Sequence, residues 1–297
     1  MTRIRTLILA AVVAALAAAP AAQASDRGAA LAGANWLGAA ITGGSNGQAA
    51  DTIAALSAAG GLSRVGASRR ANQLRAGASR YTGSAGATAK VILGLVAARS
   101  GSARCAGGLD LLRRLEGFGR HGRYGHTIFD QTLGMLAMHA LRAGPPSSTV
   151  RVLLRARGRG GWNFNASRRG GRPDDVTSTA MAILAARAAG VSAGNRTLRG
   201  GLSWMLHQRT PAGGFALGRR DRNEANSTAL AIEAERVMGR RDARAMRALR
   251  TLQRRDGSFQ FTRTDAGSRV LATVDGAIAL SGHVLPVAVL HRAPRGC

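Results

Sequence analysis

Stretches made almost wholly of Ala, Leu, Ile, Met and Val alternate along this chain with stretches whose apolar residues are interrupted by arginine. The apolar stretches recur. Each opens at a threonine (Thr52, Thr88, Thr132, Thr179, Thr228 or Thr273) and stops at a glycine (Gly60, Gly101, Gly144, Gly190, Gly239 or Gly282). The threonines stand 36 to 49 residues apart, and self-similarity at that period marks a repeat architecture. Repeat five displays the unit. Leu198 to Gln208 reads as an amphipathic helix with Leu202, Met205 and Leu206 on one face. Thr210-Pro211-Ala212-Gly213-Gly214 breaks it, and a second helix runs from Thr228 to Met238. Repeat four repeats this with Val150 to Arg157 and Ser178 to Ala189, and repeat six with Arg244 to Arg254 and Ser268 to Leu280. Repeat one is short: Leu31 to Leu37, then Asp51 to Ala59.

The two helices of a repeat differ in composition. The second is apolar on every side, so it is expected to be buried all round; the first carries arginines, so one side meets solvent. Six such hairpins pack naturally as an inner ring inside an outer one. The expected fold is therefore all-α, a single (α/α)6 toroid over residues 25–282 with a tail over 283–297. Each threonine is expected in the first turn of an inner helix, its hydroxyl on a backbone carbonyl and its methyl packed.

The ends of the chain add a compartment. Arg3 and Arg5 precede an apolar run from Leu7 to Leu16, and Ala22-Gln23-Ala24 sets small residues before Ser25. That pattern reads as a secretory signal peptide over residues 1–24, which implies bacterial-type export. Its alternative is an uncleaved anchor. No later segment is long and apolar enough to cross a membrane. Outside the cytosol the two cysteines, Cys105 and Cys297, are expected to be oxidised. Cys105 follows the second inner helix and Cys297 ends the tail, on the same face of the ring. Fifteen tail residues can span ~50 Å, enough to cross that face and form a Cys105–Cys297 disulfide.

The formal charge is +27, falling to +25 without Arg3 and Arg5, and Lys90 is the only lysine. Part of this reads as GC-rich coding bias, yet such a field draws polyanions whatever its origin. No dense basic tract or aromatic-interleaved stripe marks a nucleic-acid groove. Neither cysteine sits in a metal-binding pattern, and no metal or cofactor is expected.

Several residues carry a resemblance. Repeat six reads Gln253-Arg254-Arg255-Asp256-Gly257-Ser258-Phe259; repeat five has Gln208 and Gly213-Gly214-Phe215; repeat four has Gly160-Gly161-Trp162, and repeat three Gly122-Arg123-Tyr124. This pattern resembles the QW-type repeat of squalene–hopene cyclases and the related prenyltransferase α/α-toroid superfamily, over roughly residues 30–290. Pro173 to Ala180 and the stretch from Ala272 to Pro286 are similar to inner-helix starts and closing repeats there. The resemblance implies the toroid fold. It does not carry the activity across. Where the cyclases have a D-x-D-D acid cluster, this chain has Arg172-Pro173-Asp174-Asp175, and a neighbouring guanidinium is expected to lower a carboxyl pKa. The chain is only 4% aromatic, which is poor material for lining a carbocation cavity. The Asp/Cys/His zinc set of protein prenyltransferases has no counterpart.

Two function classes follow. The first is a non-catalytic, monomeric binding module for an anionic or amphipathic ligand, such as a cell-wall polymer or a small molecule. Its candidate rim is the face where inner helices begin, with Tyr124, His126, Asp130, Trp162, Asp174, Asp175, Phe215, Glu224 and Phe259. The second is an enzyme on isoprenoid or acidic polysaccharide substrates, for which His121, Tyr124 and His126 beside Arg120 and Arg123 offer a base in a cationic setting. Helix capping is the structural alternative for the carboxylates, and a polar loop for the histidines. Two residues after each threonine stand Ala54, Lys90, Gly134, Met181, Leu230 and Asp275. Lys90 and Asp275 break that apolar series. If the register holds they project into the lumen, to pair there or meet a ligand; if it slips they reach solvent.

Overall fold

The computed structural model describes residues 25–41, 44–99, 101–167, 173–217 and 222–297. The leader expected over residues 1–24, and Arg172, lie outside them. The described chain is mostly helical: α1 (residues 25–40), α2 (Asn46–Ala59), α3 (Arg64–Tyr81), α4 (Ala85–Ala98), α5 (Leu111–Phe118), α6 (Ile128–Ala140), α7 (Ser147–Arg155), α8 (Val176–Ala188), α9 (Arg196–His207), α10 (Ala225–Val237), α11 (Ala243–Arg250) and α12 (Arg269–Ser281). One antiparallel ribbon, β1 (Cys105–Ala106) with β2 (Leu109–Asp110), was not expected. It turns on Gly107-Gly108, both at positive φ, which the tightest hairpin turn demands.

The helices begin earlier than the threonines. Ser45, Ser84, Thr127, Asp175, Glu224 and Ser268 stand at the N-caps of the even-numbered helices, so five of the threonines lie about a turn further in and Thr52 about two turns. Repeat one is not short either, because α1 runs over residues 25–40. Its alanines and glycines carry too little hydrophobic contrast for the periodicity to declare a helix.

Composition sorts the helices as anticipated. In α4, α8 and α10 nearly every residue is buried, whereas α3 buries only Ala67, Ala71, Leu74 and Ala78, on one face. The even-numbered helices pack in cyclic order: α2 on α4, α4 on α6, α6 on α8, α8 on α10, α10 on α12 and α12 on α2. Odd-numbered helices lie against flanking even ones. At the join, Gln253 Nε2 donates to Ala29 O at 2.8 Å, and Arg250 pairs with Asp26 at 3.2 Å. The glutamine that carried the repeat resemblance therefore ties the last repeat to the first.

The recurring threonine has a second task. Its hydroxyl accepts the backbone N–H of the loop aromatic in three repeats: Trp162 to Thr179 (2.9 Å), Phe215 to Thr228 (3.0 Å) and Phe259 to Thr273 (2.9 Å). These aromatics are fully buried, and their N–H groups would otherwise have no water to bond. In repeat three Gln131 takes over, its Oε1 accepting Tyr124 N at 3.0 Å, while Thr132 bonds Ile128 O as expected. Glycines make room for the rings. A Cβ on Gly201 would stand 2.5 Å from Trp162, and one on Gly134 2.6 Å from Tyr124.

After Gly282 the tail runs back across the ends of the even-numbered helices. Leu285 N donates to Glu233 on α10 at 2.9 Å, and Leu290 N to Ala140 O at the end of α6 at 2.9 Å. The tail finishes in the Cys105–Cys297 disulfide, with Cα atoms 5.7 Å apart.

Candidate functional site

Every even-numbered helix contributes to one cavity of about 240 Å³. The residues two before and two after the threonine register supply much of its lining, because positions four apart share a helix face. Ala50 and Ala54, Thr177 and Met181, Asn226 and Leu230, and Leu271 and Asp275 are such pairs. Helix α6 is offset by one residue and presents Phe129 and Leu133. Leu285 of the tail joins the lining.

The lining is polarised. Phe129, Leu133, Met181 and Leu230 give the α6–α8–α10 side an uncharged, mainly apolar lining, in which Thr177 and Asn226 are the polar residues. The charges sit on the consecutive helices α12, α2 and α4. Lys90 Nζ lies 2.6 Å from Asp51 Oδ2, and Asn226 Nδ2 donates to Asp275 Oδ2 at 2.6 Å. Both exceptions in the threonine register thus reach the lumen. They do not pair directly, because α4 and α12 are not ring neighbours; each takes its partner from an adjacent helix.

Enclosure decides the charge states. Burial pushes Asp275 up to about 7; the Asn226 amide pulls it down, Asp51 pushes it further up, and Lys90 opposes the rise. Burial also raises Asp51, against the pull of Lys90. For Lys90 burial acts downward, but Asp51, with Tyr81 and Asp275, more than offsets it, so the ammonium keeps its proton. The cluster is one close Lys90–Asp51 pair beside a carboxyl, Asp275, that burial raises to about 7.

Below this cluster Glu233 occupies the register of Leu93 and Ile278, five residues past its threonine. It is fully buried, and burial pushes it up to about 8. Its Oε2 accepts the Leu285 N–H, while Oε1 has no partner among the described residues.

The rim candidates are occupied differently. Asp175 caps α8, its oxygens taking Ser178 N and Ser178 Oγ at 2.7 Å each. Burial raises its pKa, contrary to the lowering expected from a neighbouring arginine. Asp174 accepts Gly160 N and Gly161 N at 2.9 Å, fixing the Trp162 loop. Asp130 accepts Thr127 Oγ1 at 2.8 Å and Gly86 N at 3.2 Å, which links α6 to α4. Glu224 accepts Leu217 N at 2.7 Å and Ser227 Oγ at 3.0 Å. Trp162, Phe215 and Phe259 have no exposed surface. Tyr124 is buried, and burial lifts its phenol to about 12, too high for a base at neutral pH. His126 is exposed on its loop. Apart from His126, these residues hold the loops to the helices.

Asp51, Asn226 and Glu233 escaped the sequence reading. Asn226 was within reach, since it stands four residues before Leu230 on the same helix face. Asp51 lies one residue off that stripe, and Glu233 a further turn along, so neither interrupts the series that exposed Lys90 and Asp275. No helix among the described residues is long and apolar enough to cross a membrane, and no His/Cys/Asp/Glu group among them could hold a metal ion. A scan against protein-family models found no match, and a search of curated proteins found none.

Proposed function

We propose that this chain is an exported (α/α)6 toroid that holds one small amphipathic molecule in its lumen without transforming it. The cyclic packing of the even-numbered helices supports the toroid, and the disulfide is consistent with export. The observation that carries the binding reading is the asymmetric cavity of about 240 Å³: its charges, Asp51, Lys90 and Asp275, gather on α2, α4 and α12, and Phe129, Leu133, Met181 and Leu230 offer an apolar surface on α6, α8 and α10. An apolar body would lie on that surface, and a hydrogen-bonding head would meet the Asp275 carboxyl and the Lys90–Asp51 pair. A permanently anionic head fits poorly, because it would add a third acidic group to two carboxylates answered by one ammonium.

Native mass spectrometry of protein purified from its own host tests this. A retained small molecule is expected, and it should be absent from an Ala54→Phe variant whose helical circular dichroism is intact. An empty protein that also fails to bind an anilinonaphthalene probe inside the lumen would overturn the reading.

The enzyme reading has one observation in its favour, a protonatable carboxyl, Asp275, in an apolar enclosure. A carboxyl titrating at about 7 is nevertheless a weak acid for protonating an alkene. Turnover of an isoprenoid by the native protein, lost in Asp275→Asn, would establish it over simple binding.

A further inference from the structure

The end of the molecule where the even-numbered helices finish carries a second feature. Three open depressions of about 470, 220 and 720 Å³ lie beside the ends of α10, α12, α2 and α4. The first two share Arg27, Ser281 and His283; the second and third share Ser57 and Gly60. They form one continuous groove. The tail departs toward α6 and leaves this arc uncovered.

Its walls are basic. Arg236, Arg241, Arg27, Arg99 and Arg64 follow one another along it, with His283 between. Arg27, Arg64, Arg99 and Arg241 are exposed, and their side chains make no hydrogen bond or ion pair among the described residues. Asp26 also lines the groove, but it is paired with Arg250. His283 registers the resulting field: burial lowers its pKa first, and Arg236, Arg27 and Arg99 lower it further, against a raising bond from Ala58.

The floor has a different chemistry. Helix ends carry the negative end of the helix dipole. Leu56 O, Ser57 O and Val96 O are taken by the N–H groups of Gly60, Gly61 and Arg99, and Ala279 O by Arg236, while the carbonyls of Ala59, Ala97, Ala98 and Leu280 take no hydrogen bond among the described residues. They repel bare anionic oxygens and accept hydrogen bonds from hydroxyls. A ligand that suits both must carry anionic groups spaced along a chain, for the guanidinium groups, and hydroxyl donors between them, for the floor. A phosphate polymer supplies only the first. A membrane surface is flat and would not enter a groove.

We propose that this groove binds an acidic polysaccharide, with its carboxylates on Arg27, Arg64, Arg99 and Arg241 and its hydroxyls on the helix-end carbonyls and Ser57. The site is separate from the lumen, so Ala54→Phe should leave it intact, and failure of the lumen reading would not affect it.

The probe is a size-defined oligogalacturonate, titrated by calorimetry against the full chain. One variant carries Arg27→Gln, Arg64→Gln, Arg99→Gln and Arg241→Gln. A control of equal net charge carries Arg151→Gln, Arg155→Gln, Arg199→Gln and Arg247→Gln, all exposed on the outer helices. The groove variant is expected to lose about tenfold or more in affinity and the control about twofold or less, since a local site is being separated from the overall field. Equal losses in both variants would show that only the net charge acts, and would overturn the site. Inorganic polyphosphate of matched charge binding as tightly as the uronate would overturn the ligand class. Retained binding in the groove variant would overturn both.

Discussion

Glu233 is the residue whose chemistry is most exposed to test. A carboxylic acid buried with one unpartnered oxygen favours its protonated form, and here the folded pKa of about 8 lies above the ordinary 4.5. The folded state therefore binds a proton over that whole interval that the unfolded chain has released. Its contribution to stability is full below the lower value, declines as pH rises, and is lost above the upper one. Glu233→Gln is expected to be more stable than the native chain by a few kcal/mol near pH 9 and nearly equal to it near pH 4. Urea melts at the two pH values check this; a constant offset would mean that the carboxyl does not titrate there. Asp275 adds a smaller decline between its ordinary 3.8 and about 7, which Asp275→Asn should remove. The Lys90–Asp51 pair obeys another logic. Lys90→Met strands a carboxylate in the lumen, whereas combining it with Asp51→Leu removes both charges. The double-mutant cycle is expected to give a coupling of about 1 kcal/mol or more, and additive losses would rule the pair out as an energetic unit.

Repetition at the level of elements supplies its own controls. The same threonine sits in each even-numbered helix, but its partner differs. Thr228 accepts the N–H of Phe215, which is fully buried. Thr228→Val keeps shape and volume while orphaning that donor, so a loss of about 1–3 kcal/mol is expected. Thr52 has no such partner: its Oγ1 is buried and takes no hydrogen bond among the described residues. Thr52→Val should be neutral or slightly stabilising, because it removes an unsatisfied hydroxyl. Thermal denaturation of the two variants side by side separates a hydrogen-bonding role from mere packing; equal effects would refute the former. Helix contacts depend equally on small residues. A Cβ on Gly94 would meet Ala50 Cα at 2.8 Å, so α2 and α4 must separate to accept Gly94→Ala. A loss of about 1–3 kcal/mol is expected, despite alanine's better helix propensity.

Closure operates on the whole molecule. The Cys105–Cys297 bond links residues 192 apart, and a loop that long restricts the unfolded chain enough to contribute at most about 5 kcal/mol. It also holds the tail that carries Leu285 to the lumen and seats it on Glu233. Cys105→Ser with Cys297→Ser should lower the melting temperature and open Arg292 and Arg295 to trypsin well before global unfolding. Tail cleavage that waits for global unfolding would show that the remaining hydrogen bonds suffice.

Sequence alone determined the all-α class, the sorting of buried from half-exposed helices and the cysteine pairing. Those depend on apolar periodicity, on where each run stops and on the reach of fifteen tail residues, all of them local. It also flagged Lys90 and Asp275, because a charge in an otherwise apolar register stands out without coordinates. What each charge meets was decided by the tertiary structure. Lys90 takes Asp51 and Asp275 takes Asn226 because ring order makes those helices adjacent, and no linear pattern records ring order. The same holds for the carboxylates at the helix starts. Asp130, Asp174, Asp175 and Glu224 form a plausible rim in the sequence, but loops folding back onto helix ends engage their oxygens with backbone N–H and neighbouring hydroxyl groups. Whether a polar atom is satisfied within the fold or left for a ligand depends on which distant backbone arrives beside it.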